Sequence, residues 1–484
     1  MDINDDVEAM QSRTRTELGE PFIEKTWIND EEPSKEKSRG KESIAYVFIS
    51  TLAVVVGSYE LGSCVAYSAP VQSAISKDLE LSVAEFSLFG SLLNVGAVIG
   101  AITSGHMADQ CGRKGAMRIS AVICSAGWVA IYFSKGALLL SIGRLFTGCG
   151  IGVLSFVLPI YIAEIASKEL RGGLATLTQL MFVIGIASTL ILGTVVTWQT
   201  LALTCILPCL VLLLGLLFIP ESPRWLAKAG HQKEFIDALR RFRGDDADIS
   251  HEAAEIQENL QSLTCMPKVG LLDLFDRRYL HVVTIGVGLM FLQQFGGVNG
   301  IGLYASEIFV SAGFTSGKLE VVAFGCIQVP MTALCAVLMD NCGRKPLLLV
   351  SATGTFVGCF LTGTSFILKS HGIGQGWVPI LVLAGMLIYI GSFSIGMGAI
   401  PWVMMSEILP INVKGAAGSL VNLVNWLSAW AVSYSFNFLM QWSPSGTFYV
   451  YSGFCAVAVL YVIKVVPETK GKTLEEIQAS LNSA

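Results

Sequence analysis

From residue 44 onward the chain alternates between long apolar runs and short polar interruptions. Runs such as Leu201 to Pro220 and Ile380 to Met405 carry no charged residue. Each is as long as the roughly 20 residues a helix needs to cross a hydrocarbon core. Hydropathy and breaker positions place spans near 44–68, 85–107, 117–134, 138–162, 174–197 and 200–219. A second group falls near 280–310, 319–340, 346–369, 378–405, 414–440 and 447–466. The pattern predicts an all-α polytopic membrane protein with twelve transmembrane helices, six in each half.

The polar stretches divide the rest. Residues 1–43 read as a flexible tail carrying both signs of charge, without the short apolar stretch of a cleaved signal. Residues 44–220 form the first half, 221–279 a charged linker, 280–466 the second half and 467–484 a second tail. Helical stretches are expected in the linker over His231 to Arg243 and His251 to Leu263, with Ser222 and Pro223 as N-cap and first residue of a further helix. Lys and Arg in the short loops set orientation. Arg113, Lys114, Arg118, Lys168, Arg171, Arg344, Lys345, Lys414, Lys464 and Lys470 share the side of the linker and both termini, against Lys77, Lys135, Lys318 and Lys369 opposite. Both ends and the linker, with its helices, are therefore expected in the cytosol.

Composition narrows the class. Apolar residues make up 53% and charged residues 14% of the 484, against about a quarter charged in soluble domains. The net charge of −5 implies no nucleic acid partner. Most of the twelve cysteines fall inside spans, among them Cys124, Cys205, Cys209, Cys326 and Cys335, and no CxxC pair occurs. They read as small apolar packing residues. No nucleophile and base constellation, metal cluster or phosphate loop is present, so neither an enzyme nor a cofactor is expected.

The halves repeat each other. Asp109, Gly112, Arg113 and Lys114 recur as Asp340, Gly343, Arg344 and Lys345; Glu164 and Arg171 recur as Glu407 and Lys414; Pro220 and Glu221 recur as Pro467 and Glu468. Collinear recurrence of this kind is the mark of a transporter built from two parallel repeats, with its solute site between them at mid-membrane.

These residues, with Gly143-Arg144-Leu145, Pro159 to Glu164, Pro220 to Arg224, Gln293-Gln294 with Asn299, Pro401-Trp402 with Ser406-Glu407, and Pro467 to Gly471, resemble the sugar porter family of the major facilitator superfamily. The resemblance covers nearly everything after the N-terminal tail. Phe295 to Ala305 and Thr473 to Gln478 look most like the plant monosaccharide transporters named for early response to dehydration. Glu60 stands where the family commonly has aspartate, Gly296 where it has serine or threonine, Leu303 where it has tyrosine, and Ala399 where it often has proline.

A hexose offers neutral hydroxyls and two apolar faces, so its site calls for amides and an aromatic platform. Candidates are Gln179 in span five, Gln293, Gln294 and Asn299 in span seven, Trp402 in span ten, and Asn425 with Trp426 in span eleven. They match the family's sugar-contacting positions, and the absence of charge among them disfavours phosphorylated sugars and amino acids. In an unbroken helix Gln294 and Asn299 would lie about 140° apart. Gly296, Gly297, Gly300 and Gly302 allow the backbone to unwind between them; the same glycines would also suit close helix packing.

Glu60 in span one and Arg144 in span four are ionisable residues at membrane depth, where an unpaired charge costs at least ~2.5 kcal/mol. They are expected to neutralise each other, and the resemblance implies that they form the proton-coupling pair. A static structural pair is the alternative. Asp109, Arg113, Glu164, Arg171, Glu221 and Arg224 in the first half, with Asp340, Arg344, Glu407, Lys414 and Glu468 in the second, are expected at inner span ends as gating ion pairs. The expected function is secondary transport of a monosaccharide by proton symport and alternating access, across the plasma or vacuolar membrane. Partners are a hexose, protons and the lipid bilayer. A facilitative uniporter and a non-transporting sugar sensor are the competing readings.

Overall fold

The structure, a computed structural model, describes residues 33–470 apart from 167–170, 245–247, 266–273, 275, 316–317 and 410–413. Residues Ser43–Ala484 form one compact unit; of the other, Met1–Glu42, the structure describes backbone only from Pro33 onward. The first helix, α1 (Pro33–Ala66), thus begins earlier than the span edge read at 44. It is followed by α2 (Ser68–Asp78), α3 (Val83–Gln110), α4 (Gly112–Tyr132), α5 (Ala137–Ile165) and α6 (Arg171–Val195).

Span six is two pieces, α7 (Trp198–Thr204) and α8 (Ile206–Phe218). Pro208 lacks the N–H that would bond the Thr204 carbonyl, which is where the helix breaks. The linker holds α9 (Pro223–Lys228), α10 (Gln232–Arg243) and α11 (Ser250–Cys265). As expected, Ser222 caps α9 by accepting from the Trp225 N–H, and Pro223 opens the helix. These helices share a small apolar core of Leu226, Phe235, Leu239, Ile249 and Ile256.

The second half begins with α12 (Arg277–Phe295), α13 (Val298–Leu303) and α14 (Ala305–Ala312), three pieces of one interrupted span. Span eight is α15 (Lys318–Cys326) and α16 (Gln328–Cys342), interrupted where Pro330 leaves the Cys326 carbonyl unbonded. Then come α17 (Arg344–Ser370), α18 (Val378–Ile395), α19 (Ile400–Ile408), α20 (Lys414–Trp442) and α21 (Pro444–Lys464).

Among the described residues eleven helices or helix pairs are long and apolar enough to cross a membrane. The predicted eleventh span, α20, is not among them although it runs for 29 residues. Asn422, Asn425, Ser428, Ser433 and Asn437 are all buried on it, so a helix that faces the protein interior with polar groups fails a hydropathy test that a lipid-facing helix passes.

Packing inside each half depends on small residues that let backbones touch. A Cβ on Gly96 of α3 would lie 2.3 Å from the Leu145 carbonyl of α5, and one on Gly358 of α17 would lie 2.7 Å from the Gly385 carbonyl of α18. Cys64, Cys124, Cys205, Cys209 and Cys335 are buried as expected, whereas Cys326 is exposed on α15.

Between the halves, polar ties gather at one end of the bundle. Asn94 Nδ2 donates to Ser433 Oγ at 3.0 Å, Asn437 Nδ2 to Ser87 Oγ at 3.1 Å, and Gln72 Nε2 to Glu307 Oε2 at 2.6 Å. Lys318 Nζ reaches the Thr194 carbonyl at 3.3 Å, and the Phe86 and Tyr304 rings meet edge to face. Ser87 and Asn94 lie in the first half of α3, whose other end carries Asp109. The halves are therefore drawn together at the end opposite the basic clusters.

Candidate functional site

The site begins at the interruption after α12. Gly296 caps that helix, and Gly297 sits at φ 97°, a left-handed conformation open to glycine at little cost. A new helix then starts at Val298. The break removes the 140° separation expected of a continuous helix: Asn299 Nδ2 donates to Gln294 Oε1. Gln294 Nε2 in turn donates to Asn425 Oδ1 of α20 at 2.6 Å and faces Gln293 Oε1 at 3.4 Å. Four of the predicted amides thus form one connected, neutral chain. Gln293, Gln294 and Asn425 are buried within it.

The other candidates are placed less directly. Gln179 is half-buried on α6. Trp402 stands in the first turns of α19 with 41% of its surface exposed, whereas Trp426, next to Asn425, is buried and its indole N–H has no partner. An exposed indole can lie flat against a sugar ring; an enclosed one without a partner is better suited to packing or to a ligand that brings an acceptor. Span ten breaks as span seven does, between α18 and α19, and Gln293 Nε2 donates to the Met397 carbonyl in that break.

Glu60 and Arg144 are both fully buried, but they do not pair directly as expected. Glu60 Oε1 accepts from the Trp128 indole at 2.6 Å and from the Cys64 thiol at 3.3 Å; its Oε2 has no hydrogen-bond partner among the described residues, and the Cys124 and Cys209 thiols lie close to the carboxylate. The Arg144 guanidinium donates to the Cys64 carbonyl at 2.8 Å and to Ser68 Oγ at 2.7 Å, while its Nε has no partner. It also lies 5.4 Å from the centre of the Phe89 ring. The reason is axial offset: Ser68 is two turns beyond Glu60 along the chain, so the guanidinium meets the following turns while the carboxylate turns toward α4. Cys64 touches both groups. Neither Cys64 nor Trp128 was singled out by the sequence, since a cysteine and a tryptophan in apolar spans carry no polar signal.

At the opposite end the repeat becomes geometry. Arg113 grips Glu164 with two bonds of 2.9 and 2.8 Å, and the Glu221 carboxylate accepts from the backbone N–H groups of Arg113, Lys114 and Ser222. In the second half Arg344 bonds Glu407 at 2.9 Å, and Glu468 accepts from the N–H groups of Arg344 and Lys345. Ser222 Oγ completes the first cluster by donating to Glu164, and Thr469 Oγ1 completes the second by donating to Glu407 at 2.6 Å. The latter two were missed, although each directly follows the recurring glutamate. Each cluster closes within its own half. Asp109 pairs with Lys228 at 2.9 Å and lies 3.5 Å from Arg113, and Arg224 is exposed. The side chains of Arg171, Asp340 and Lys414 lie outside the described residues.

The two glutamates differ in setting. Burial holds the Glu221 carboxyl above its ordinary range despite its backbone donors. Burial also pushes Glu468 up, but the N–H groups of Lys470, Arg344, Lys345 and Thr469 outweigh it and hold that carboxyl below the usual range.

Paired helix breaks that gather neutral amides within one of two repeated halves fit a solute carrier. The family described as "Sugar (and other) transporter" matches residues 33–481. The chain belongs to that family. This sugar porter is 58% identical to "Sugar transporter ERD6-like 16" of Arabidopsis thaliana over 477 residues, covering 98% of each chain. It is 56% identical to "Sugar transporter ERD6-like 8" of the same plant, covering 93% of this chain and 96% of that one. Among solved structures it is similar to the proton:xylose symporter XylE bound to 6-bromo-6-deoxy-D-glucose, with a TM-score of 0.75, 26% identity, and 91% of this chain and 100% of that one covered. The inward-open form of the E. coli xylose transporter XylE gives a TM-score of 0.75 at 27% identity, covering 90% and 99%. The sugar porter is thus an integral multi-pass membrane protein of the twelve-helix major facilitator fold and not an enzyme.

Proposed function

We propose that this porter carries a hexose by alternating access, coupled to proton entry, with both termini and the linker in the cytosol of the plasma or vacuolar membrane. The observation that carries the substrate class is the connected run of amides from Gln293 through Gln294 to Asn299 and Asn425. Each amide both donates and accepts, so the run can exchange its internal bonds for sugar hydroxyls without moving a charge. Trp402, half open on α19, supplies the apolar face, and Gln179, half-buried on α6, is the candidate from the other half.

Coupling is supported by the surroundings of Glu60. Its second carboxylate oxygen has no hydrogen-bond partner among the described residues, its carboxylate has only the Cys124 and Cys209 thiols close by besides its two donors, and Arg144 lies one residue's contact away through Cys64. A carboxylate so placed is costly when charged and cheap when protonated. Movement of α1 against α5 that brings the guanidinium closer would reverse that preference, which is the requirement for taking up a proton on one side and releasing it on the other. The Arg113 and Arg344 clusters, already formed within each half in this state, then hold the inner span ends of each half together as the two halves rock. In the present state the far side is the closed one.

The test is uptake of labelled hexoses into proteoliposomes with and without an imposed proton gradient. Accumulation above the external concentration, dependent on the gradient, is expected. Equilibration without accumulation would leave a facilitative uniporter, and binding without flux a sensor.

A further inference from the structure

The two helix breaks are braced against each other in both directions. Gln293, at the end of α12, donates its amide to the Met397 carbonyl inside the α18–α19 break. Tyr389, buried on α18, donates its hydroxyl at 3.0 Å to the Gly296 carbonyl inside the α12–α13 break. A break frees carbonyls that a continuous helix would satisfy, and in a membrane interior each needs a partner. Here each interrupted helix supplies the partner for the other. Two further bonds anchor the brace to α17: Ser351 Oγ accepts from the Met397 N–H at 2.8 Å and donates to the Ser392 carbonyl at 2.6 Å.

We propose that Tyr389 is a positioning residue for sugar binding: by holding the Gly296 carbonyl it fixes the break that turns Gln294 and Asn299 toward one another, and it makes the two breaks move as one. The inference rests on the reading that these amides take the sugar. Gln293 is the exchangeable member. A cavity of about 10 Å³ lined by Gln293, Gly296, Tyr389, Phe393 and Met397 lies between the breaks, room for about one water. On this proposal the amide turns from the Met397 carbonyl to a sugar hydroxyl. When it does so, the α18–α19 break loses a bond, and α19 with Trp402 is released to close on the ring. Tyr389 keeps the α12–α13 side fixed while this happens.

The experiment uses the full-length carrier in detergent and in proteoliposomes, with whichever of D-glucose, D-galactose and D-fructose the wild type takes up fastest. Tyr389→Phe removes one hydroxyl and leaves the ring. Sugar affinity should fall about five- to tenfold, the effect of one lost hydrogen bond, with maximal exchange rate and thermal midpoint nearly unchanged. Ser351→Ala, at the other end of the brace, should act in the same direction. In a double-mutant cycle on sugar affinity, Tyr389→Phe and Gln293→Ala should be non-additive, because they cut the two arms of one brace; a general loosening of the fold would give additive effects. Wild-type affinity in both Tyr389→Phe and Ser351→Ala, while Asn299→Ala loses binding, overturns the brace and spares the amide site. Wild-type affinity in Asn299→Ala and Gln294→Ala as well overturns the site itself. Additive effects in the cycle reduce Tyr389 to a packing residue.

Discussion

Asn94 of α3 donates its amide to Ser433 of α20 at 3.0 Å, joining the two halves at the end of the bundle away from the Arg113 and Arg344 clusters. One turn further out, Asn437 makes the same kind of bond to Ser87. Polar side chains that meet only when the halves close at this end act as a latch, and bonds of this type in a membrane interior are worth about 0.6 to 2 kcal/mol each.

Removing that latch should open the far side. Asn94→Ala combined with Asn437→Ala is expected to shift the population toward the form open opposite the basic clusters by about tenfold. The measurement is labelling of a cysteine introduced beside Gln72, which should accelerate, while labelling near Arg344 slows. Unchanged rates at both positions would reduce the two amides to packing.

Gln294 is the hub of the amide run, bonded to Asn299 on one side and Asn425 on the other. Gln294→Ala strands the buried Asn425 amide and the half-buried Asn299 amide and should weaken hexose binding by at least about tenfold, at ~1 to 3 kcal/mol per stranded group. Equilibrium binding by calorimetry on purified protein decides it; retained affinity would move the sugar elsewhere.

Gly297 should not tolerate a side chain. Its φ of 97° is strained for alanine, and an added Cβ would lie 2.8 Å from the Tyr451 ring. Gly297→Ala is expected to cost ~1 to 3 kcal/mol and to abolish binding by straightening the break, whereas Gly302→Ala, which meets nothing within 4 Å, should behave as wild type. Thermal midpoints and sugar affinity of the pair separate backbone strain from simple loss of glycine.

Glu60→Gln imitates the protonated acid. Exchange of sugar down its own gradient should survive, and accumulation driven by an imposed proton gradient should vanish. A mutant that still accumulates sugar would make Glu60 a structural residue. Trp128→Phe, which removes the 2.6 Å indole bond to the carboxylate, should shift the pH dependence of uptake toward alkaline values, because the charged form loses a donor.

The two inner glutamates should respond oppositely to pH. Glu468 is held below its ordinary range, so the folded state binds its proton less tightly than the unfolded chain. Its contribution is present above the unfolded pKa and is lost as pH falls through the lower folded value. Glu221 is held above its range, so its contribution is greatest in acid and is lost as pH rises through the folded value. At pH 7, Glu468→Gln is expected to lower the thermal midpoint by more than Glu221→Gln does, and the difference should shrink toward pH 4. Equal midpoints for the two variants across that range would show that the settings do not differ.

Much of this protein is decided locally and is legible in the chain. Apolar runs of span length and the glycines around 297 place the helices and the interruption of span seven, because lipid leaves a backbone no alternative to helix except where it lines protein; the breaks of spans six and eight, near Pro208 and Pro330, came only with the structure. The doubled Asp-Gly-Arg-Lys and Pro-Glu segments disclose the repeat and its clusters, and the amides of span seven mark the candidate site. Other features depend on which faces meet. Span eleven was legible as a span, but that the amides and serines of α20 face α3 rather than lipid is a tertiary fact. The offset that keeps Glu60 from Arg144 and inserts Cys64 between them follows from how far α5 is displaced along α1. The cross-bracing of two breaks about a hundred residues apart, through Tyr389 and Gln293, is likewise fixed only when α12 and α18 pack, because a freed carbonyl announces nothing in sequence about the hydroxyl or amide that will come to satisfy it.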